Sequence, residues 1–203
     1  MIKRLIFDID GTLIRNINFE PFIREALRIY GIEDLKKTKI FLNHIKEYET
    51  LYNTYDKNLY LNFFSKQLGV SLEQSFLNIL LENLKKEIPN NCLELQNTLK
   101  ALKDYELVLL SNYFEESQRN RLKAMNINHF FPEYYGEKVI KPNTLSYINA
   151  IKNHPCKECL IIGDDKKLDI DIPKSLGIKT LYVNENGDIK KVEELTPQLI
   201  RKL

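Results

Sequence analysis

The apolar positions of this chain follow two periods. Residues 3–9, Lys-Arg-Leu-Ile-Phe-Asp-Ile, read as a strand whose Leu5–Phe7 run is apolar without alternation, the pattern of burial on both faces of a parallel sheet. Glu106–Ser111, Leu160–Gly163 and Lys179–Val183 read the same way. Helical spacing separates them: Leu95, Leu99 and Leu102 precede the second run, and Leu145, Ile148 and Ile151 the third. Pro173–Leu176 predicts a short helix, with proline in its first turn and Gly177 suited to its C-terminal end. Strand alternating with helix predicts an α/β fold built on a parallel sheet.

Residues 17–88 break that alternation and show no strand pattern. Phe19, Phe22, Ile23, Ala26, Leu27 and Tyr30 form one helical stripe, and Phe41, His44, Ile45, Tyr48, Tyr52 and Tyr55 a second. Leu61, Phe64 and Leu68 make a third, and Leu77, Leu81, Leu84 and Ile88 a fourth, punctuated by Gly31, Gly69 and Pro89. The expectation is an inserted helical bundle over 16–88, joined near Arg15–Asn18 and Ile88–Asn91. Residues 1–15 and 89–203 then form one discontinuous α/β unit.

Composition narrows the function classes. A length of 203 residues allows one compact domain or a core with a smaller appended unit. The net charge is +2 with both signs interspersed, so no basic block points to nucleic acid or a membrane surface. No apolar run reaches the length of a membrane span. The opening Met-Ile-Lys-Arg leads directly into the first strand rather than into a secretory leader. Three cysteines, an odd number, suit a reducing compartment, and the cytoplasm is the expected location. Oligomeric state is not readable.

The candidate chemistry lies at strand ends. Asp8-Ile9-Asp10-Gly11-Thr12 closes the first strand, where alternation puts Asp8 and Asp10 on one face. The C-terminal edge of a parallel sheet is where α/β folds bind ligands. Ser111-Asn112 closes the second strand and brings a hydroxyl and backbone N–H groups to that edge. Lys141-Pro142 precedes the next helix, from which a lysine can reach a phosphate as a point charge. Gly163-Asp164-Asp165 closes the third strand, and Asp169 follows. Carboxylates without neighbouring histidine or cysteine favour Mg²⁺ over zinc. Asp169 and Asp171 also suit helix N-capping before Pro173.

Taken in order, these pieces resemble the four motifs of the haloacid dehalogenase superfamily. Asp8–Leu13 looks like the first motif, Ser111 the second, Lys141-Pro142 the third, and Gly163-Asp164-Asp165 with Asp169 the fourth. The resemblance covers residues 1–15 and roughly 89–203, and it implies a Rossmann-like sheet flanked by helices. The helical insertion occupies the family's cap position, from which substrate selection is expected. The resemblance implies a Mg²⁺-dependent phosphatase acting on a small phosphorylated metabolite through an aspartyl-phosphate on Asp8. Asp10 would serve as acid and then base. Gly11, Thr12, Ser111, Asn112 and Lys141 would bind the phosphoryl group. Asp8, the Asp10 carbonyl and Asp164 would hold the metal, with Asp169 acting through water or behind the ligands and Asp165 a further candidate there. An acid at Asp10 favours phosphate ester chemistry, because dehalogenases and phosphonatases of this type lack it. Two alternatives stay open: a phosphosugar mutase, although residues 16–30 lack the histidine such mutases use, and a catalytically silent binding or regulatory protein.

Other features read as structure. Cys156-Lys157-Glu158-Cys159, with His154 nearby, lacks the second ligand pair of a structural zinc site and is expected to be a surface loop leading into a buried strand at Cys159. His44, Tyr48, Tyr52 and Tyr55 sit on an apolar stripe and are expected in the bundle core. His129, in a loop from helix to strand, is assigned no role.

Overall fold

A computed structural model describes residues 1–15, 18–86 and 92–203. Five strands form one all-parallel sheet: β1 (Arg4–Phe7), β2 (Glu106–Leu110), β3 (Glu133–Tyr135), β4 (Cys159–Gly163) and β5 (Lys179–Tyr182). Their order is β3-β2-β1-β4-β5. In the centre, Ile6 lies between Val108 and Ile161. The first strand is central because it is buried on both faces, as its unbroken apolar run requires. Chain direction across the sheet reverses at β1, and such a switch point opens a crevice at the C-terminal strand ends.

Side-chain alternation divides the sheet's two faces. Leu5, Phe7, Leu109 and Ile162 pack beneath α5 (Cys92–Ala101), α6 (Glu115–Ala124) and the C-terminal α9 (Pro197–Lys202). Ile6, Val108, Leu110 and Ile161 pack against Tyr147 and Ala150 of α7 (Thr144–Ile151). A single turn, α8 (Ile172–Ser175), precedes β5. The edge strand β3, Glu-Tyr-Tyr, was not anticipated. It is half-buried and polar, so it carries no apolar run.

The inserted helices are α1 (Glu20–Ile29), α2 (Leu35–Tyr52), α3 (Lys57–Leu68) and α4 (Gln74–Leu84). Their stripes meet in a separate core of Ile23, Leu27, Phe41, Tyr48, Phe64 and Leu77, into which Phe114 and Ile140 project from the sheet side. Phe41 stacks on Phe64 at 4.0 Å between centroids, an aromatic contact of about 0.5–1.5 kcal/mol beyond its burial. Asp34 and Asp56 cap α2 and α3 by accepting from the backbone N–H groups of Lys36, Asn58 and Leu59. The second stripe extends further in sequence than its helix does: α2 ends at Tyr52, Asn53 takes a left-handed φ of 53°, and Tyr55 follows in the connection. Both junctions of the insertion, at 16–17 and 87–91, lie outside the described residues, as do Asn16, Ile88 and Pro89.

Cys159 begins β4 and is buried, while Cys156 sits in a 3₁₀ turn just before it. Tyr48 is fully buried, and His44 is partly exposed with its Nδ1 against the Ile40 carbonyl. No described helix is long and apolar enough to cross a membrane.

Candidate active site

The crevice beyond β1 collects the residues singled out from the sequence. Asp8 continues β1, its N–H donating to the Ile162 carbonyl at 3.0 Å. The chain then turns sharply at Gly11, with φ of 91°, and the Ile14 N–H returns to the Ile9 carbonyl at 2.8 Å. A Cβ at Gly11 would fall on the Asp164 carboxylate, so glycine is required for both the turn and the close approach. Thr12 is buried, and its hydroxyl donates to Asp164 Oδ1 at 3.0 Å.

Lys141 is the electrostatic centre. Its buried Nζ donates to Asp8 Oδ1 at 2.8 Å and to Asp169 Oδ1 at 2.7 Å. Asn112 fixes the lysine's backbone: its Oδ1 accepts from the Lys141 N–H at 2.8 Å and its Nδ2 donates to the Lys141 carbonyl at 2.9 Å. Asn112 therefore spends its side chain on positioning Lys141. Burial works against the ammonium, but Asp169 and Asp8 outweigh it and hold its pKa above the ordinary lysine value. Burial pushes Asp8 up from the usual carboxylate range while Lys141 pulls the other way. Asp164 is also raised, chiefly by burial, against the Thr12 hydrogen bond.

Carboxylate oxygens of Asp8, Asp164 and Asp169 lie within 4.8 Å of one another. Three carboxylates here face the single ammonium of Lys141, an excess of negative charge in a partly buried pocket. That hard-oxygen set fits a divalent cation. Asp169 touches Lys141 directly and accepts the Asp165 N–H at 3.1 Å, so it belongs to the cluster itself. Asp165 faces elsewhere. Its exposed side chain accepts from the Lys167 and Leu168 N–H groups, both at 2.8 Å, and caps the wide π turn Lys166–Asp171. Capping was expected instead of Asp169 and Asp171. The Asp171 side chain makes no cap bond and pairs with Lys166 at 3.2 Å.

Asp10 turns toward α6. Its Oδ1 meets Arg121 Nη1 at 2.7 Å and its Oδ2 accepts from Gln118 Nε2 at 2.6 Å. Gln118 also reaches the buried Ser111 hydroxyl at 3.4 Å. Sequence reading missed both partners because α6 is so polar that Gln118 and Arg121 look like a solvent face. The available signal was the helix's shortage of apolar side chains: a helix packed on a sheet with only Leu122 to bury must turn polar groups inward. Missed for a related reason was Glu49 of α2, whose Oε1 accepts from the Tyr55 hydroxyl at 2.9 Å and from Asn112 Nδ2 at 3.3 Å. It links the inserted helices to the sheet edge, and burial raises its pKa. Arg15 is half-buried just past the turn.

With this geometry, the family match is specific. The chain matches the haloacid dehalogenase-like hydrolase family over residues 5–183 and belongs to it. Among curated proteins, a glyceraldehyde 3-phosphate phosphatase from Methanothermobacter thermautotrophicus is 27% identical, the alignment covering 91% of this chain and 86% of that protein. The L-2-haloacid dehalogenase of Xanthobacter autotrophicus shares the fold with a TM-score of 0.65 at 18% identity, over 100% of this chain and 82% of its own. A HAD phosphatase from Thermococcus onnurineus gives a TM-score of 0.65 at 22% identity, over 99% and 97% of the two chains. The protein is thus a hydrolase of this family.

Proposed function

We propose that the protein is a Mg²⁺-dependent phosphatase of small phosphorylated metabolites, with residues 16–88 as its cap and the cytoplasm as its location. The observation that carries the reading is the Lys141 ammonium shared between Asp8 and Asp169 beside a second acid, Asp10. Lys141 holds Oδ1 of Asp8, which leaves Oδ2 to attack phosphorus. The P–O ester bond breaks, and the leaving oxygen takes a proton from Asp10. Water then gives a proton to Asp10 and attacks the same phosphorus, the bond from phosphorus to Asp8 breaks, and the carboxylate is restored. Arg121 and Gln118 orient Asp10 while using only two of its roughly four acceptor sites, so the others can face the substrate. The Ser111 hydroxyl and the Asn112 backbone N–H orient the phosphoryl oxygens, whereas the Thr12 N–H donates to the Ile9 carbonyl at 3.2 Å. When bound by Asp8, Asp164 and the Asp10 carbonyl, with Asp169 behind them, the cation supplies neutralising charge to the phosphoryl oxygens.

The relative named as a phosphatase supports phosphate ester chemistry over dehalogenation, as does the acid at Asp10. Phosphate release from a panel of monoesters tests it. Turnover should need Mg²⁺, stop with EDTA and vanish in Asp8→Asn. Release that survives Asp8→Asn would remove the reading.

A further inference from the structure

A cavity of about 160 Å³ lies between the inserted helices and the sheet edge, with Asp10, Asn112 and Arg121 on one side and Glu49 and Tyr60 on the other. It adjoins the proposed leaving-group side of the site, since Asp10 forms part of its wall. Tyr60 is buried among Phe41, Phe64 and Phe114, and its hydroxyl makes no hydrogen bond of good geometry among the described residues, with the Tyr113 hydroxyl as a loose polar neighbour. A buried hydroxyl placed this way gains a well-formed hydrogen bond when a ligand oxygen enters the cavity. Among the described residues, both hydrogen bonds to Glu49 fall on Oε1, which leaves Oε2 for a ligand hydroxyl.

Size and charge narrow what enters. Pockets for drug-sized ligands start near ~300 Å³. A chain of three or four carbons fills the space, while a hexose or nucleoside does not. Asp10 and Glu49 outnumber Arg121 in the wall, so a second anionic group on the substrate is disfavoured.

We propose that the substrate is the phosphate monoester of a short, uncharged, hydroxylated carbon chain. Tyr60 donates to one of its oxygens, and Glu49 accepts from one of its hydroxyls. This rests on the phosphatase reading above. The test measures kcat/KM with Mg²⁺ for glycerol 3-phosphate, n-propyl phosphate, phosphoglycolate, glucose 6-phosphate and AMP. Glycerol 3-phosphate should exceed the last three by about tenfold or more, as expected of a site built to pair substrate hydroxyls. If glucose 6-phosphate, AMP or phosphoglycolate equals or passes it, this inference falls and the phosphatase reading stands. If none of the five is hydrolysed, both fall. Tyr60→Phe removes a hydroxyl that makes no well-formed hydrogen bond and keeps the ring's packing, so folding is retained. Tyr60→Phe and Glu49→Gln should each lower the preference for glycerol 3-phosphate over n-propyl phosphate, which lacks both hydroxyls, by about tenfold. An unchanged preference in both variants would overturn the assignment.

Discussion

Lys141→Met tests how much of this fold depends on one buried ammonium. Methionine keeps the stem's packing and deletes the charge. The wild-type lysine makes two ion pairs, at 2.8 Å to Asp8 and 2.7 Å to Asp169, and all three side chains are buried. At an effective dielectric of about 20, each pair has a gross attraction of about 6 kcal/mol. Much of that offsets desolvation, and removing one partner of a buried pair costs about 3–5 kcal/mol net. For a chain of 203 residues, at about 2–4 °C per kcal/mol, the melting temperature should fall by about 6–20 °C. Thermal unfolding in EDTA at neutral pH isolates the effect from metal binding. The deficit should shrink as pH falls, because burial has already raised Asp8 and protonation removes the uncompensated charge. Asp169→Asn in the same molecule should cost less than the sum of the single changes, with a coupling of about 0.5–3 kcal/mol. A melting point within a degree or two of wild type, or strict additivity, would refute the reasoning.

Other predictions address the remaining groups. Asp164→Ala should weaken Mg²⁺ binding, read directly by calorimetry, since it deletes a proposed oxygen ligand; unchanged affinity would take Asp164 out of the metal set. Asp10→Asn should lower turnover by about 10²–10⁴ while sparing Mg²⁺ affinity, because the proposed ligand there is a backbone carbonyl; recovery at high Mg²⁺ would contradict the acid–base role. Glu133 is held down at about 2, first by Lys152, then by Tyr135 and Arg4. A depressed carboxylate stabilises fully above its unfolded pKa and loses that contribution as pH falls from about 4.5 toward 2. Glu133→Gln should therefore flatten acid unfolding in that window, and an unchanged acid limb would refute it.

The sequence was most informative where one period dominated. The β1 run was legible because burial on both faces keeps Leu5–Phe7 apolar after Arg4, and its end located Asp8 and Asp10. Each stripe of the insertion contributed to its common core. Legibility failed where tertiary context reversed local chemistry. Gln118 and Arg121 resemble surface residues until Asp10 gives them a partner across more than a hundred residues. Asp165, Asp169 and Asp171 are one residue type within a single turn. Which one caps, which one meets Lys141 and which one faces solvent depends on the π turn that rotates Asp169 inward, and no spacing rule announces that turn. The Tyr60 hydroxyl is likewise invisible to periodicity, which places the ring in the core but says nothing of what its hydroxyl faces.

The central claim is that water is consumed by attack at phosphorus rather than at the Asp8 carboxyl carbon. Many turnovers of the best monoester in ¹⁸O-labelled water, followed by mass spectrometry of the released phosphate and of the peptide carrying Asp8, test it directly. The account predicts one ¹⁸O in each released phosphate and none in the Asp8 carboxylate. Label in Asp8 would mean attack at the carboxyl carbon, the route of an alkyl-ester intermediate, and would contradict it.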